Sequence, residues 1–597
     1  MWISRVVVVL TLAVVPAAAL AQSRQAEVTP AFEPENFAAA VDPRADGWDT
    51  EALSEQAEAQ LKRVAAWLAE VAAGRADAVP SGDVATVVDQ AFESPGFVPG
   101  ELAARYRGRA FTVESGSASG ADSGYRGAEG FRRALGALAG RLSGDRPPRA
   151  DFKLYSIDAG SEGFTTLAYF EAAAGAGGGF RQLNAVWSTV WRLPADGAGE
   201  PLLLRVEVAD YEETSTPRGP LFVDVTEAAV GHNPSYRDQL LQPPDAWLNR
   251  ITKASGYNKT GWQGVSVADV NGDGLDDLLL PEQGGLPNRL YVQNREGTFD
   301  DRSADAAIDY LERALAGLFV DLDNDGDPDL VLSSRPAVLV LENDGSGRFA
   351  RVRHIAGDIP DSNSLSAADY DNDGDLDLYV CAYRRAYDER GVASPVPYHD
   401  ANNGGRNVLL RNDGGFRFVD ATAETGLDAN NRRFSLAASW EDVDGDGDRD
   451  LYVANDYGRN NLYRNDGGRF VDVAGEAGVE DISSGMSVSW ADYNRDGRMD
   501  VYVGNMFSAA GNRITYQRKF ERDRQRAGPL AEVQRMARGN SLFAGASGGG
   551  FVDRSVDANV TMGRWSWSSV FADINNDGWE DLVVANGNLT QTLPDDL

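Results

Sequence analysis

The stretch Asp369-Tyr370-Asp371-Asn372-Asp373-Gly374-Asp375-Leu376-Asp377 sets an aspartate at every second position and then enters the apolar run Leu378-Tyr379-Val380. Its pattern, D-x-[D/N]-x-D-G-x-x-D, occurs six times with unvarying spacing. In chain order the residues at positions one, three, five and nine are Asp269, Asn271, Asp273 and Asp277 (loop 1), Asp321, Asp323, Asp325 and Asp329 (loop 2), and Asp369, Asp371, Asp373 and Asp377 (loop 3). Loops 4 to 6 supply Asp442, Asp444, Asp446 and Asp450; Asp492, Asn494, Asp496 and Asp500; and Asp573, Asn575, Asp577 and Asp581.

Calcium takes six to eight hard oxygen ligands at about 2.3–2.6 Å, so alternate oxygen-bearing side chains of a tight loop suit it, with a glycine at the sharp turn. Gly274, Gly326, Gly374, Gly447, Gly497 and Gly578 occupy that turn. The motif residues are therefore read as Ca2+ ligands. An EF-hand shares the opening but needs an acid at position 12. Here that position holds Leu280, Leu332, Val380, Val453, Val503 or Val584, so these loops are not EF-hands. Each loop leads instead into DLLL, DLVL, DLYV, DVYV or DLVV, apolar runs of strand length.

Further strand patterns follow each loop, such as Asn407 to Arg411 and Asn461 to Arg464, and then F-V-D segments at Phe418, Phe470 and Phe551. A lead strand, an acidic loop, a core strand and two outer strands make a four-stranded unit of propeller-blade length. Leu221 to Thr226 carries the same F-V-D pattern, and either it supplies the missing outer strand that closes the ring or the chain is a fragment whose last blade is open, the first being the expectation. The expected fold is thus multidomain: a calcium-loop β-propeller with six visible blade motifs, seven blades being possible, behind a small α+β domain.

Residues 1–21 combine Arg5, an apolar run and a small-residue Ala19-Leu20-Ala21 ending, the form of a cleaved signal peptide. The run is too short to span a bilayer, and no other transmembrane candidate is visible. Residues 22–47 read as a flexible lead-in, 48–214 as the α+β domain and 215–597 as the propeller. Leu53, Ala57, Leu61, Val64, Leu68 and Val71 recur at helical spacing, as do Phe131, Leu135, Leu138 and Leu142. Strand patterns follow near 151–158, 163–173, 181–192 and 202–211.

The net charge of −35 repels nucleic acid and anionic membranes, so neither is expected as a partner. A single cysteine, Cys381, excludes an intramolecular disulfide and reads as a buried structural thiol. Insertions at 383–405 and 507–540 interrupt the repeat spacing, and long insertions on a rigid scaffold often carry binding. The second is basic (Arg513, Arg518, Lys519, Arg522, Arg524, Arg526, Arg535, Arg538), either an ion-paired surface or a partner site.

The loops and their strands resemble the FG-GAP, or VCBS, repeats of integrin α heads and secreted bacterial proteins. Gly504-Asn505-Met506-Phe507-Ser508, Gly511-Asn512-Arg513, Arg538-Gly539-Asn540-Ser541-Leu542 and Met562-Gly563-Arg564-Trp565 are similar to the cartilage-acidic-protein, ASPIC/UnbV-type branch. The helix-then-meander order of 48–214 resembles the cone of SnoaL-like and nuclear transport factor two proteins.

No nucleophile elbow, phosphate loop or zinc signature appears, and no catalytic residue is assigned. The expectation is a non-enzymatic, secreted or periplasmic calcium-binding module for an extracellular or envelope protein or glycan. Two alternatives stand beside it. One is a carbohydrate-active enzyme, lyase or hydrolase, with His399 beside Asp400 and Asn402 as a conceivable site; the other is an envelope assembly scaffold. Trp440, Trp490, Trp565 and Trp567 are read as packing between blades, with sugar stacking as the sharper option.

Overall fold

In the computed structural model the apolar stripe read at 50–74 folds as helix α1, Asp49–Ala72, which buries Ala57, Leu61, Val64 and Leu68 on one side. The structure describes residues 48–587 except 76–78, 80, 120–123, 145–147, 161–162, 177, 195–198, 253–263, 335–336, 357–358, 360–361, 384–393 and 518–529. The leader, the lead-in, and Arg518, Lys519, Arg522, Arg524 and Arg526 lie outside the described residues. The chain divides into two units: Met1–Val223 with Ala509–Gly528, and Asp224–Ser508 with Pro529–Leu597. Among the described residues no helix is long and apolar enough to cross a membrane.

In the first unit α1 and α2 (Gly127–Arg141) cover a mixed sheet of eight strands. These are β1 Val88–Ser94, β2 Ala103–Arg107, β3 Thr112–Ala118, β4 Tyr125–Arg126, β5 Arg149–Ala159, β6 Gly163–Ala176, β7 Gly179–Arg192 and β8 Leu202–Thr216. The path runs β2-β3-β8-β7-β6-β5, with β1 parallel to β8 and antiparallel to β4. The long strands β5 to β8 follow the sequence pattern, and in β7 alternate residues Leu183, Ala185, Trp187, Thr189 and Trp191 are buried. Strands β2 and β3, AARYR and TVESGSA, lack a buried apolar alternation, so periodicity alone does not reveal them.

Phe131 on α2 meets Trp67, Phe92 and Phe97 edge-on with centroids 5.5–6.2 Å apart, filling the space between helices and sheet. Helix α3 (Ala509–Thr515), from the second insertion, also belongs to this unit. Arg513 pairs with Glu51 at 2.8 Å and donates to the Leu154 carbonyl at 2.8 Å.

Among the described residues the second unit holds five four-stranded antiparallel sheets and one two-stranded sheet. Each four-stranded sheet is a meander in chain order, as in Phe434–Glu441, Asp450–Asp456, Asn461–Asn465 and Phe470–Asp472. The F-V-D segments at 418, 470 and 551 form the outer strands. The first strand of each sheet packs beside the first strand of the next.

Aromatic side chains join neighbouring sheets at a fixed place in the repeat. Trp440, Trp490 and Phe571, each two residues ahead of an acidic loop, stand edge-on to Tyr379, Tyr452 and Tyr502 of the preceding sheet, with centroids 6.1, 6.0 and 6.3 Å apart. The second strands Asp329–Ser334, Asp377–Ala382 and Asp500–Asn505 are buried along their whole length, Cys381 among them. Asp581–Asn586 of the last, two-stranded sheet is only partly covered.

One expectation is corrected here. Leu221 to Thr226 contributes no strand: Leu221, Phe222, Val223 and Val225 are exposed, and a short helix begins at Thr226. Asp224 nevertheless accepts from the Thr226 N–H at 2.9 Å, the same turn that follows the outer strands at Asp301, Asp420, Asp472 and Asp553.

Trp490→Ala should open a gap against Tyr452 and Phe551 and cost about 3 kcal/mol. Hydrogen exchange should show lost amide protection in Asp500–Asn505, and unchanged protection would show that the ring does not hold the sheets together.

Candidate metal centre

Each acidic loop joins the first and second strands of its sheet and is shaped by its own aspartates. At position one, Asp269, Asp321, Asp369, Asp442, Asp492 and Asp573 each accept through Oδ1 from the position-five N–H at 2.9–3.2 Å. Through Oδ2 they accept from the position-six glycine N–H at 2.7–3.0 Å. At position five, Asp273, Asp325, Asp373, Asp446, Asp496 and Asp577 accept from the N–H two residues on.

Position six is left-handed in every copy, with φ between 80° and 96°, which is why glycine stands there. Position four is left-handed too, at Gly272, Asn324, Asn372, Gly445, Arg495 and Asn576. The sequence reading missed that constraint, although the Gly/Asn bias at position four was its visible signal.

The ninth position does more than face the loop. Asp277, Asp329, Asp377, Asp450, Asp500 and Asp581 accept through Oδ2 from the N–H of position two at 2.9–3.3 Å. Through Oδ1 the first five also accept from the N–H at the end of the third strand, Gln293, Asn343, Asn412, Asn465 or Gly545, at 2.7–3.0 Å. Burial, with the neighbouring aspartates adding to it, pushes the carboxyls of Asp329 and Asp377 up to about 7 and those of Asp450 and Asp500 up to about 6.

Three loops bring carboxylate oxygens within 4.8 Å of one another: Asp321, Asp323 and Asp325; Asp369, Asp371 and Asp377; and Asp442, Asp444 and Asp450. Loops 1, 5 and 6 carry asparagine at position three (Asn271, Asn494, Asn575), so their sets are mixed carboxylate and amide. Asp323 Oδ1 and Asn575 Oδ1 are buried without a hydrogen-bond partner, as oxygens that await a cation would be. The donors are all hard oxygens, and these clusters can hold a metal ion. A bound dication would neutralise the mutual repulsion of the aspartates.

Both insertions leave from the ends of second strands, at Ala382 and Asn505, the ends opposite the acidic loops. There Arg459 bridges Asp400 at 3.2 Å, Glu480 at 2.5 Å and Glu532 at 3.0 Å, while Arg433 holds Asp400 at 2.8 Å. His399 lies 3.3 Å from Glu532. Burial opposes ionisation of Asp400, but the two guanidinium groups outweigh it and hold its carboxyl below the usual range. Asn402 donates to Asn430 at 3.3 Å. The trio His399, Asp400 and Asn402 is thus tied into ion pairs and amide contacts.

The short motifs of the fifth and sixth repeats converge. The Asn505 N–H donates to Asn540 at 2.8 Å, the Phe507 N–H to the Arg564 carbonyl at 2.7 Å and the Asn540 N–H to the Thr561 carbonyl at 3.0 Å. Gly539 passes so close that a Cβ there would lie 2.1 Å from the Thr561 carbonyl oxygen. Arg535 and Arg538 pair with Asp481 and Asp553. Trp565 and Trp567 pack on each other, and Trp567 donates to the Gly587 carbonyl at 2.6 Å.

A family pattern described as FG-GAP-like repeat matches residues 269–332, 321–380 and 442–503. The chain carries FG-GAP-like repeats. Cartilage acidic protein 1 of Homo sapiens is 28% identical over 146 residues, and that of Mus musculus 31% over 147. In both cases the match covers 23% of this chain and 22% of the relative, so the chain spans less than a quarter of those proteins. Among solved structures, an Agrocybe aegerita lectin described as recognising non-reducing terminal N-acetylglucosamine matches with a TM-score of 0.32 and 17% identity, over 55% of this chain and 76% of that one. The V. cholerae biofilm matrix protein Bap1 matches with a TM-score of 0.27 and 13% identity, over 49% and 39%.

Two outcomes test these FG-GAP-like repeats. Asp377→Ala strips acceptors from the Tyr370 and Asn412 N–H groups and should cost about 2 kcal/mol or more even in chelator, read by denaturant unfolding.

The second concerns Asp456, at the insertion end, which accepts from the Tyr383 hydroxyl at 2.6 Å. Burial raises its carboxyl to about 6 from an unfolded value of 3.8. The folded state holds that proton more tightly, so this contribution to stability is present below pH 4 and is lost as pH rises through 6. Asp456→Asn should therefore flatten the fall in stability between pH 4 and 6 relative to the parent, by up to about 3 kcal/mol.

Proposed function

We propose that the chain is a secreted, calcium-binding β-propeller that acts as a binding module for a protein or glycan of the cell exterior or envelope. The observation that carries this reading is the division of labour between the two ends of the sheets. One end repeats an all-oxygen loop, and two long insertions depart from the second strands at the other. Several hard oxygens gathered from one loop suit calcium better than a smaller, stricter dication. The leader-like residues 1–21 fit an exterior where calcium is abundant.

Calcium acts here as folding free energy, because the unfolded chain offers no preformed cage. At tenfold above its dissociation constant each site adds about 1.4 kcal/mol. Asp325→Ala and Asp446→Ala should accordingly lower the melting temperature in millimolar calcium and change little in chelator, since both side chains are exposed at position five. Equal losses in both conditions would rule out a cation at these loops.

The functional test is retention of the mature protein on a panel of envelope polysaccharides, glycans and exterior proteins, in millimolar calcium and again in chelator, with the eluate assayed for cleaved sugar. Calcium-dependent retention without cleavage is the expected result. Released fragments would establish the carbohydrate-active alternative instead.

A further inference from the structure

The six loops differ in how they are tied to one another. In loop 2 the position-four residue Asn324 donates its amide to Asp375 of loop 3 at 2.8 Å and to the Gly374 carbonyl at 3.3 Å. In loop 3 the equivalent Asn372 donates to Asp448 of loop 4 at 2.8 Å. These bonds run from position four of one loop to positions six and seven of the next, so the turns of loops 3 and 4 are braced by their predecessors, while loop 1, with Gly272 at position four, reaches loop 2 only through the ties below.

A second set of ties passes through the third strands. Asn343, buried, donates its amide both to the Val270 carbonyl of loop 1 at 2.9 Å and to the Pro328 carbonyl of loop 2 at 3.1 Å. Asn412 does the same for Leu322 of loop 2 and Leu376 of loop 3, at 2.8 and 3.3 Å. Asn465 joins Tyr370 of loop 3 to Arg449 of loop 4, at 2.8 and 3.1 Å. The backbone N–H of each of these asparagines also donates to the ninth-position carboxylate of its own loop.

Both ties fail between loops 4 and 5. Position four of loop 4 is Gly445, and the third-strand position that holds asparagine in the three preceding sheets is Gly545. Neither has a side chain to donate. Between loops 5 and 6 the contact is of another kind, with the Arg495 guanidinium stacked 4.1 Å over the Trp579 ring.

We infer that loops 1 to 4 take up their cations as one cooperative group and that loops 5 and 6 fill independently of it. The inference rests on the calcium reading above. A cation in one loop relieves the repulsion among its aspartates and fixes its left-handed position four. That presets the carboxylate and carbonyl of the next loop, so the next cation pays less ordering entropy.

The test is calorimetric titration of calcium into the metal-stripped full chain, beside the double variant Asn324→Gly with Asn372→Gly. Both substitutions install the residue the chain itself uses at position four of loops 1 and 4, where glycine accepts the left-handed backbone without strain. The parent should show two classes of site, one with a Hill slope above one. In the double variant the stoichiometry should hold while that slope falls and the affinity of that class weakens on the order of fivefold. Arg495→Gly should leave the cooperative class unchanged. Identical independent sites in the parent, or a double variant that titrates like it, would overturn the coupling while leaving calcium binding intact. Absence of any uptake by the parent would overturn the calcium reading itself, and the coupling with it.

Discussion

A buried carboxylate that accepts two backbone N–H groups is the contact on which the repeat depends. The ninth-position aspartate, typified by the fully buried Asp377, closes its own loop at position two and clamps the third strand to the second. Charge buried in this way is costly unless hydrogen-bonded, and the raised carboxyl values of Asp329 and Asp377 record the part of that cost the N–H groups do not cover. Loop conformation and strand pairing are therefore properties of the same side chain.

From that clamp the order spreads sideways. The third-strand asparagines carry it from one loop to the next, and the Trp440–Tyr379 and Trp490–Tyr452 pairs lock the sheets over the apolar core. Hydrogen bonds set the register at the loop end, while aromatic contacts fill the space beneath it. At the opposite ends of the sheets Arg459 and Arg433 gather Asp400, Glu480 and Glu532 into one ion-paired junction.

Much of the loop was legible in the sequence because its constraints are local. Glycine at position six answers a left-handed backbone, and alternating aspartates answer the bonds within nine residues. The long strands β5 to β8 and both helices were legible for a similar reason, since each buries a regular stripe. Strands β2 and β3 were not, because they pair in the sheet without burying an alternating face.

The sequence by itself determined the repeat, its acidic positions and the strand that follows each loop, since all of these are written in short-range spacing. Only the tertiary structure decided what Asn343, Asn412 and Asn465 do, because each donates to a carbonyl 73 to 95 residues away. It also decided that Asp377 serves two strands at once and that helix α3 belongs to the first unit. It left Leu221 to Val225 out of any strand despite their F-V-D pattern, for a strand needs a neighbouring edge to pair with, and a short sequence carries no record of where that edge lies.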